Sequence, residues 1–117
     1  MIGLKIKDHW IQPILNRQKT MELRSTYRNL VGQVIALGNS DSKLVEGYAY
    51  VKEIIKIPQK DVSKYGNVHL ASKADLKKLG YDKKLFLYGY RLCGVRREAE
   101  PFPYTKSPSI WFKIEEE

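Results

Sequence analysis

The order of strand-like and helix-like segments restricts the fold more than any other feature of this sequence. The segment "LVEGYAYVKEIIKIP" (44–58) is rich in β-branched and aromatic residues and ends at a proline, with Gly47 at a predicted bend or bulge. Five further segments have strand patterns: "GLKIK", "KTMELRS", "QVIALGN", "KLFLYGYRLCGV" and "IWFKI". Because these strands do not alternate regularly with helices, a doubly wound parallel sheet is disfavoured. We predict an α+β fold, a mixed and mostly antiparallel β-barrel of about six strands with two or three short flanking helices.

Two helical segments carry recognisable end signals. In "WIQPILNRQ", Pro13 is tolerated only in the first turn, so we expect the helix to begin near Trp10. In "SKADLKKLGY", Ser72 is the predicted N-cap, Asp75 completes a variant of the capping box, and Gly80 ends the helix. "PFPYTKSPS" is predicted to be a proline-rich loop before the last strand.

The composition is that of an ordinary globular protein. With 117 residues, 43% of them hydrophobic and 29% charged, we expect one domain over 1–117. The single cysteine, Cys93, cannot form an internal disulfide, so we expect a reducing, cytoplasmic setting, and its apolar strand predicts a buried thiol. No apolar run approaches the roughly 20 residues of a membrane helix, so no membrane partner is expected.

Charge and motifs narrow the classes of partner. The net charge of +8 favours polyanions, nucleic acid first, although a solvated basic surface without a specific partner has the same signature. His9 and His69 have no neighbouring Cys/His spacing, so no metal site is expected. Glycine-rich phosphate-binding motifs are absent from the sequence, and we expect no cofactor.

"KTMELRS" places three charged residues close together. On a strand, Met21 and Leu23 point to one face while Glu22 and Arg24 point to the other, and Lys19 lies at the turn that precedes it. One interpretation is a surface ion pair that contributes about 0 to 1 kcal/mol. The other is a recognition site, in which the carboxylate accepts from an amine of a base and the guanidinium binds a base edge or a phosphate.

The same residues support the second interpretation through a family resemblance. "ILNRQKTMELR" resembles the signature of the ASCH domain of the PUA-like superfamily, in which a helix ends in G-x-K and a strand carries x-x-E-x-R. Lys19, Glu22 and Arg24 match in type and spacing, and Trp10 stands where such domains often have an aromatic residue. "LVEGYAYVKEII" is similar to a later strand, and "PFPYTKSPSIWFKI" to the closing stretch of a branch found in a eukaryotic transcriptional coactivator. Arg17 replaces the glycine of the signature.

The resemblance implies a PUA-like pseudo-barrel with a cleft beside the first helix that binds RNA, another nucleic acid or a base. We expect Lys19, Glu22 and Arg24 to line this cleft, with Arg17 adding charge near it. Candidate stacking residues, although core packing is the favoured explanation for each one taken alone, are Tyr27, Tyr48, Tyr50 and Trp111. Lys52 shares a predicted strand face with Tyr48 and Tyr50. Arg96 and Arg97 are candidates for contacting the nucleic-acid backbone outside the cleft.

Two other functions stay open. One enzymatic branch of the family hydrolyses N4-acetylcytidine with a lysine, a threonine three residues later and a glutamate on a later strand. Lys19 matches the lysine as a candidate catalytic residue, Glu22 takes the place of the threonine, and both Glu46 and Glu53 are candidates for the distant glutamate. The other alternative is a module that binds a protein partner.

Overall fold

The computed structural model describes residues 1–115. Its six strands are β1 (Ile2–Ile6), β2 (Met21–Arg24), β3 (Val34–Asn39), β4 (Leu44–Pro58), β5 (Phe86–Pro103) and β6 (Trp111–Lys113). Its α-helices are α1 (Asp8–Leu15), α2 (Gly66–His69) and α3 (Lys73–Lys78), and 3-10 helices span Gln59–Tyr65 and Tyr81–Lys83. No helix within residues 1–115 is long and apolar enough to cross a bilayer.

The six strands form one sheet in the order β2-β5-β4-β3-β1-β6. β1 and β3 pair in parallel and every other pairing is antiparallel, so the predicted mixed, mostly antiparallel sheet with short flanking helices is confirmed. The sheet is not closed, because the edge strands β2 and β6, of four and three residues, do not pair with each other in the described residues. The barrel therefore has an open seam between β2 on one side and β1 with β6 on the other.

Glycine at position 47 lets the first helix pack closely on the long hairpin of β4 and β5. The pairing of these strands shifts register between Val45 and Gly47, which confirms the predicted bulge. A Cβ atom on Gly47 would lie 2.5 Å from Cδ2 of Leu15 and 2.7 Å from the carbonyl oxygen of Arg96. Since real side chains do not approach so closely, only glycine fits without movement of the helix or the strand.

Two hydrophobic clusters hold the helices on the sheet. The inner face of α1, formed by Ile11, Ile14 and Leu15, packs into the main cluster with residues of β1, β3, β4 and β5. Met21 and Leu23 of β2 belong to a second cluster beneath the helices of residues 59–78. The alternation predicted for β2 is therefore confirmed, and it leaves Glu22 on the opposite face of that strand.

Three local predictions were wrong. The helix α1 begins at Asp8, not near Trp10, and Pro13 lies inside it. β5 extends through "PFP" to Pro103, because β4 offers a partner there while β2 pairs only as far as Arg91, so these prolines lie on a locally exposed strand edge. Cys93 is exposed, not buried, because it is on the outer face of β5 beyond the segment covered by β2.

The predicted ends of α3 are confirmed. The Ser72 hydroxyl accepts from the Asp75 backbone N–H at 3.1 Å, and the Asp75 carboxylate accepts from the Ser72 N–H at 2.8 Å, which forms the capping box. Gly80 follows the helix with a left-handed φ of +75°, a conformation that glycine adopts without strain.

Candidate functional site

A pocket of about 380 Å³ opens at the seam of the sheet. β2 forms one wall and β1 the other, with the start of α1, the region around α3 and the segment before β6 completing the enclosure. The lining residues are Lys5, Ile6, Lys7, Trp10, Lys19, Glu22, Leu23, Arg24, Ser40, Ala71, Leu76, Leu79, Tyr81, Pro108, Ser109 and Ile110. We call this the seam pocket, and its volume lies within the range of about 300 to 1,000 Å³ that is usual for small-molecule sites.

Three charged side chains meet at the base of the seam pocket. One Glu22 oxygen lies 3.4 Å from Nζ of Lys19, and the other accepts from Nε and Nη2 of Arg24 at 3.1 and 2.7 Å. The side chains of Lys19 and Glu22 are 3% and 7% exposed, and that of Arg24 is 14% exposed. Because one carboxylate stands between two cations, the cluster carries a net positive charge in a partly dry environment, where electrostatic interactions are strengthened.

The guanidinium of Arg24 also bridges the open seam. Its Nη2 atom donates to the carbonyl oxygen of Lys5 at 3.0 Å, which joins β2 to β1 where no strand pairing exists between them. On the far side of β1, the Lys5 backbone N–H donates to the Ile110 carbonyl at 2.8 Å. A side chain therefore replaces backbone pairing across the seam, and the space beside it is the seam pocket.

Burial and the helical region fix the position of Lys19. Its ammonium donates to the carbonyl oxygen of His69 at 2.5 Å and lies 4.9 Å from the centre of the Trp10 ring. Burial lowers the pKa of Lys19 from its ordinary value of 10.5, and the neighbouring charge of Glu22 opposes that effect. The lysine is thus directed at the pocket by a carboxylate, a carbonyl and an aromatic face together.

The His69 ring supports the segment that holds Lys19. His69 is fully buried, with Nε2 2.8 Å from the Val62 carbonyl and Nδ1 accepting from the Ala71 N–H at 2.9 Å. This pattern requires a neutral ring with its proton on Nε2, because a proton on Nδ1 would face the Ala71 donor. Burial lowers the pKa of His69, in agreement with a neutral imidazole.

The structure brings together the three residues on which the sequence argument rested, Lys19, Glu22 and Arg24, in one pocket. Its aromatic lining comes from Trp10 and Tyr81, and not from any of the four aromatic residues predicted for stacking. Trp10 had a signal in its position at the start of the first helix. Tyr81 had none, because a short 3-10 helix distant in the sequence carries it to the pocket.

The predicted aromatic residues lie elsewhere. Tyr48 is buried in a third hydrophobic cluster with its hydroxyl on the Glu98 carboxylate, and burial together with that contact raises its pKa to about 12. Tyr50 is 40% exposed. The pairing of β4 with β5 shifts register between Tyr48 and Tyr50, so the two tyrosines have different surroundings. Tyr27 is 53% exposed and packs on Tyr88, outside the seam pocket.

The remaining predicted cations are also outside the seam pocket. Lys52 is exposed on β4. Arg17, which has a left-handed φ of 65°, donates to the Val95 carbonyl at 3.1 Å, and Arg97 donates to the Asn16 side chain at 2.5 Å. Arg96 lies 4.3 Å from the Tyr48 ring centre. Arg17, Arg96 and Arg97 lie at the end of α1 and on β5, and none of them lines the seam pocket.

Neither candidate for the distant glutamate of the hydrolytic branch lies at this site. Glu46 accepts from Gln12, Asn39 and Ser42, and Glu53 pairs with Arg91 on the surface at 2.9 Å. Neither glutamate lines the seam pocket, where Glu22 is the carboxylate. Within residues 1–115, no three side chains of His, Cys, Asp or Glu come close enough together to hold a metal ion.

Solved structures of ASCH proteins share this fold. A variant of an ASCH protein from Zymomonas mobilis, with serine replaced by alanine, superposes with a TM-score of 0.83 at 15% identity, over 97% of this chain and 87% of that one. The unmodified protein has a TM-score of 0.78 at 17% identity, over 87% and 72%. A tyrosine-to-phenylalanine variant has a TM-score of 0.77 at 17% identity, over 87% and 74%. No family model matches this chain, and no curated protein sequence does. The chain therefore has the ASCH fold that the resemblance predicted.

Proposed function

We propose that this chain is an ASCH protein that binds single-stranded nucleic acid, RNA in preference to DNA, with one unpaired base in the seam pocket. The observation that carries the proposal is the convergence of Lys19, Glu22 and Arg24 on one cavity that also has the Trp10 ring in its wall. The fold similarity and the motif resemblance support it, since relatives are expected to use the same cleft. A base must leave a duplex to reach such a cavity, which favours single strands.

The pocket supplies the groups that a nucleobase edge needs. The Glu22 carboxylate accepts from an exocyclic amine, while the Lys19 ammonium and the Arg24 guanidinium donate to ring nitrogens or carbonyl oxygens. Lys5 and Lys7 also line the pocket, and Lys7 is exposed at its mouth, where phosphate groups attached to the base would lie. The net charge of +8 adds a general attraction for polyanions.

A comparison of two charge-removing variants tests this proposal. Arg24→Ala removes a donor inside the pocket, and Lys77→Ala removes one charge from the exposed surface of α3. In fluorescence anisotropy with a labelled eight-nucleotide RNA of mixed sequence at fixed salt, we expect Arg24→Ala to raise Kd by about 5- to 150-fold, the loss of one specific contact of about 1–3 kcal/mol.

The matched control separates pocket binding from general attraction. Lys77→Ala should change Kd by less than about twofold, since one of several exposed charges contributes little. Arg24→Lys, which keeps the charge and loses the planar fork, should restore only part of the affinity. Equal and small effects of the two alanine variants would contradict the proposal, and absence of RNA binding by the unaltered protein would favour a protein partner instead.

Hydrolysis of a modified nucleoside is the second candidate, and one observation favours it. Lys19 is buried, has a lowered pKa and lies 3.4 Å from a carboxylate, an arrangement that suits a general base or a nucleophile. Incubation with N4-acetylcytidine and chromatography for cytidine tests this function. Release of cytidine by the unaltered protein, abolished in Lys19→Met, would establish it, whereas no product at high protein concentration would remove it.

A further inference from the structure

A second groove lies beside the seam pocket, along β6. It has a volume of about 620 Å³ and is bordered by the start of β1, the end of β5, the loop that follows it and Arg28. Its lining residues are Ile2, Arg28, Phe102, Pro103, Tyr104, Thr105, Lys106, Ser107, Ser109, Trp111, Phe112, Lys113, Ile114 and Glu115. We call it the Trp111 groove, after the tryptophan among its lining residues.

Two aromatic residues hold Arg28 in position in this groove. It lies 5.1 Å from the centre of the Trp111 ring, and that ring in turn packs on Tyr90 with 6.5 Å between ring centres. The Tyr90 hydroxyl also accepts from the Arg28 backbone N–H at 2.9 Å, so one tyrosine fixes both the backbone of the arginine and the tryptophan beneath its side chain. Arg28 is half-buried, and its planar guanidinium is a group on which a base can stack.

The charge of the groove suits a nucleic acid strand. Among the described residues that line it, Arg28, Lys106 and Lys113 contribute three positive charges and Glu115 contributes one carboxylate. Single-stranded nucleic acids are bound by this combination of cations with a planar group on which a base can stack, and guanidinium planes serve that role in RNA recognition.

The Trp111 groove adjoins the seam pocket. Ser109 lines both of them and is exposed. Along β1, Ile2 borders the groove and Lys5 borders the pocket, three residues or about 10 Å apart at the rise of a strand. That separation corresponds to about three nucleotides stacked at roughly 3.4 Å each, and to fewer in an extended strand.

We propose that the Trp111 groove binds the nucleotides adjacent to the base in the seam pocket, with a neighbouring base stacked on the Arg28 guanidinium. The protein would then recognise a short single strand and not a free base or nucleoside. This inference rests on the proposed function, because it takes the seam pocket as the site of the first base.

Chain length of the ligand tests the inference. Calorimetric titrations would compare mononucleotides with tetranucleotides of adenosine, cytidine and uridine. We expect the tetranucleotides to bind about 5- to 150-fold more tightly than the mononucleotides, which is the contribution of one stacked base. Arg28→Ala should remove most of this gain and leave the Kd of the mononucleotide within about twofold, since Arg28 does not line the seam pocket. Arg28→Lys should lose the same gain in affinity as Arg28→Ala, because an ammonium has no planar group on which a base can stack.

The outcomes distinguish the two proposals. If tetranucleotides bind no better than mononucleotides, or if Arg28→Ala leaves tetranucleotide binding unchanged, the inference is overturned while a mononucleotide effect of Arg24→Ala would still support the seam pocket. If Arg28→Ala weakens both ligands equally, it acts through the pocket or the fold, and the inference is again overturned. Absence of binding by every ligand would overturn both proposals. Thermal melting of each variant verifies that the fold is retained.

Discussion

Glu22→Gln is the most informative single change, because it removes the carboxylate between two cations with almost no change in shape. Unit charges about 4 Å apart attract by about 4 kcal/mol at an effective dielectric constant of 20, and breaking one side of a buried pair typically costs about 3–5 kcal/mol. The glutamine oxygen still accepts one hydrogen bond from Lys19 or Arg24. We therefore expect the free energy of unfolding at pH 7 to fall by about 3 kcal/mol.

Urea denaturation measures this loss, and an exposed pair on the same protein provides the control. Glu53 is 51% exposed and pairs with Arg91, which is 40% exposed, so Glu53→Gln should cost at most about 1 kcal/mol. A double variant that adds Lys19→Met to Glu22→Gln should recover part of the loss, since it also removes the buried cation. A loss below about 1 kcal/mol in Glu22→Gln would show that the ion pairs of Glu22 contribute no more to stability than exposed pairs do, and would refute the reasoning.

The pH dependence gives a second and independent measurement on the same variant. Glu22 favours the charged form of Lys19, so its loss should lower the pKa of Lys19 further below the ordinary value of 10.5. When a lysine has a lower pKa in the folded state, the unfolded state binds more protons, and stability rises with pH up to the unfolded value. The deficit of Glu22→Gln relative to the unaltered protein should therefore shrink between pH 7 and about 10. A constant deficit would contradict this argument.

Two further predictions concern the packing around the site. Gly3→Ala should lower the free energy of unfolding by about 1–3 kcal/mol in urea denaturation, because its Cβ atom would overlap the Phe112 ring. Gly66→Ala is the control, since a Cβ atom there would meet nothing within 4 Å beyond its chain neighbours and its own helix. Stability should fall as the pH drops below 6.5, by at most about 1.4 kcal/mol per unit, since the pKa of buried His69 is lowered and the unfolded state binds the proton first. In urea denaturation, the free energy of unfolding should fall between pH 7 and 5.5 in His9→Gln but not in His69→Gln. A fall that persists in His69→Gln and disappears in His9→Gln would contradict this prediction.

Local geometry explains which parts of the site were predictable from sequence. Glu22 and Arg24 share a face because side chains on any strand repeat every two residues, and Lys19 reaches them from the preceding turn. The partners that complete the site, Tyr81 and the Lys5 carbonyl, reach it through tertiary packing, on which sequence spacing carries no information. The same limit applies to the burial of aromatic residues on β4 and β5, where register shifts break the alternation.

The open seam connects the energetics of the fold with the proposed function. A closed barrel would pair the edges of β2 and β6 through backbone hydrogen bonds and leave no cavity between them. Here Arg24 joins β2 to β1 with a side-chain hydrogen bond, and buried charges, whose burial is costly, line the gap. An apolar plug at Lys19 and Glu22 would close the same gap at lower cost in desolvation, but it would offer no donor or acceptor to a base. The buried charges at the seam therefore stabilise the fold less than apolar side chains would, but they provide the donors and the acceptor that a flat, polar ligand requires.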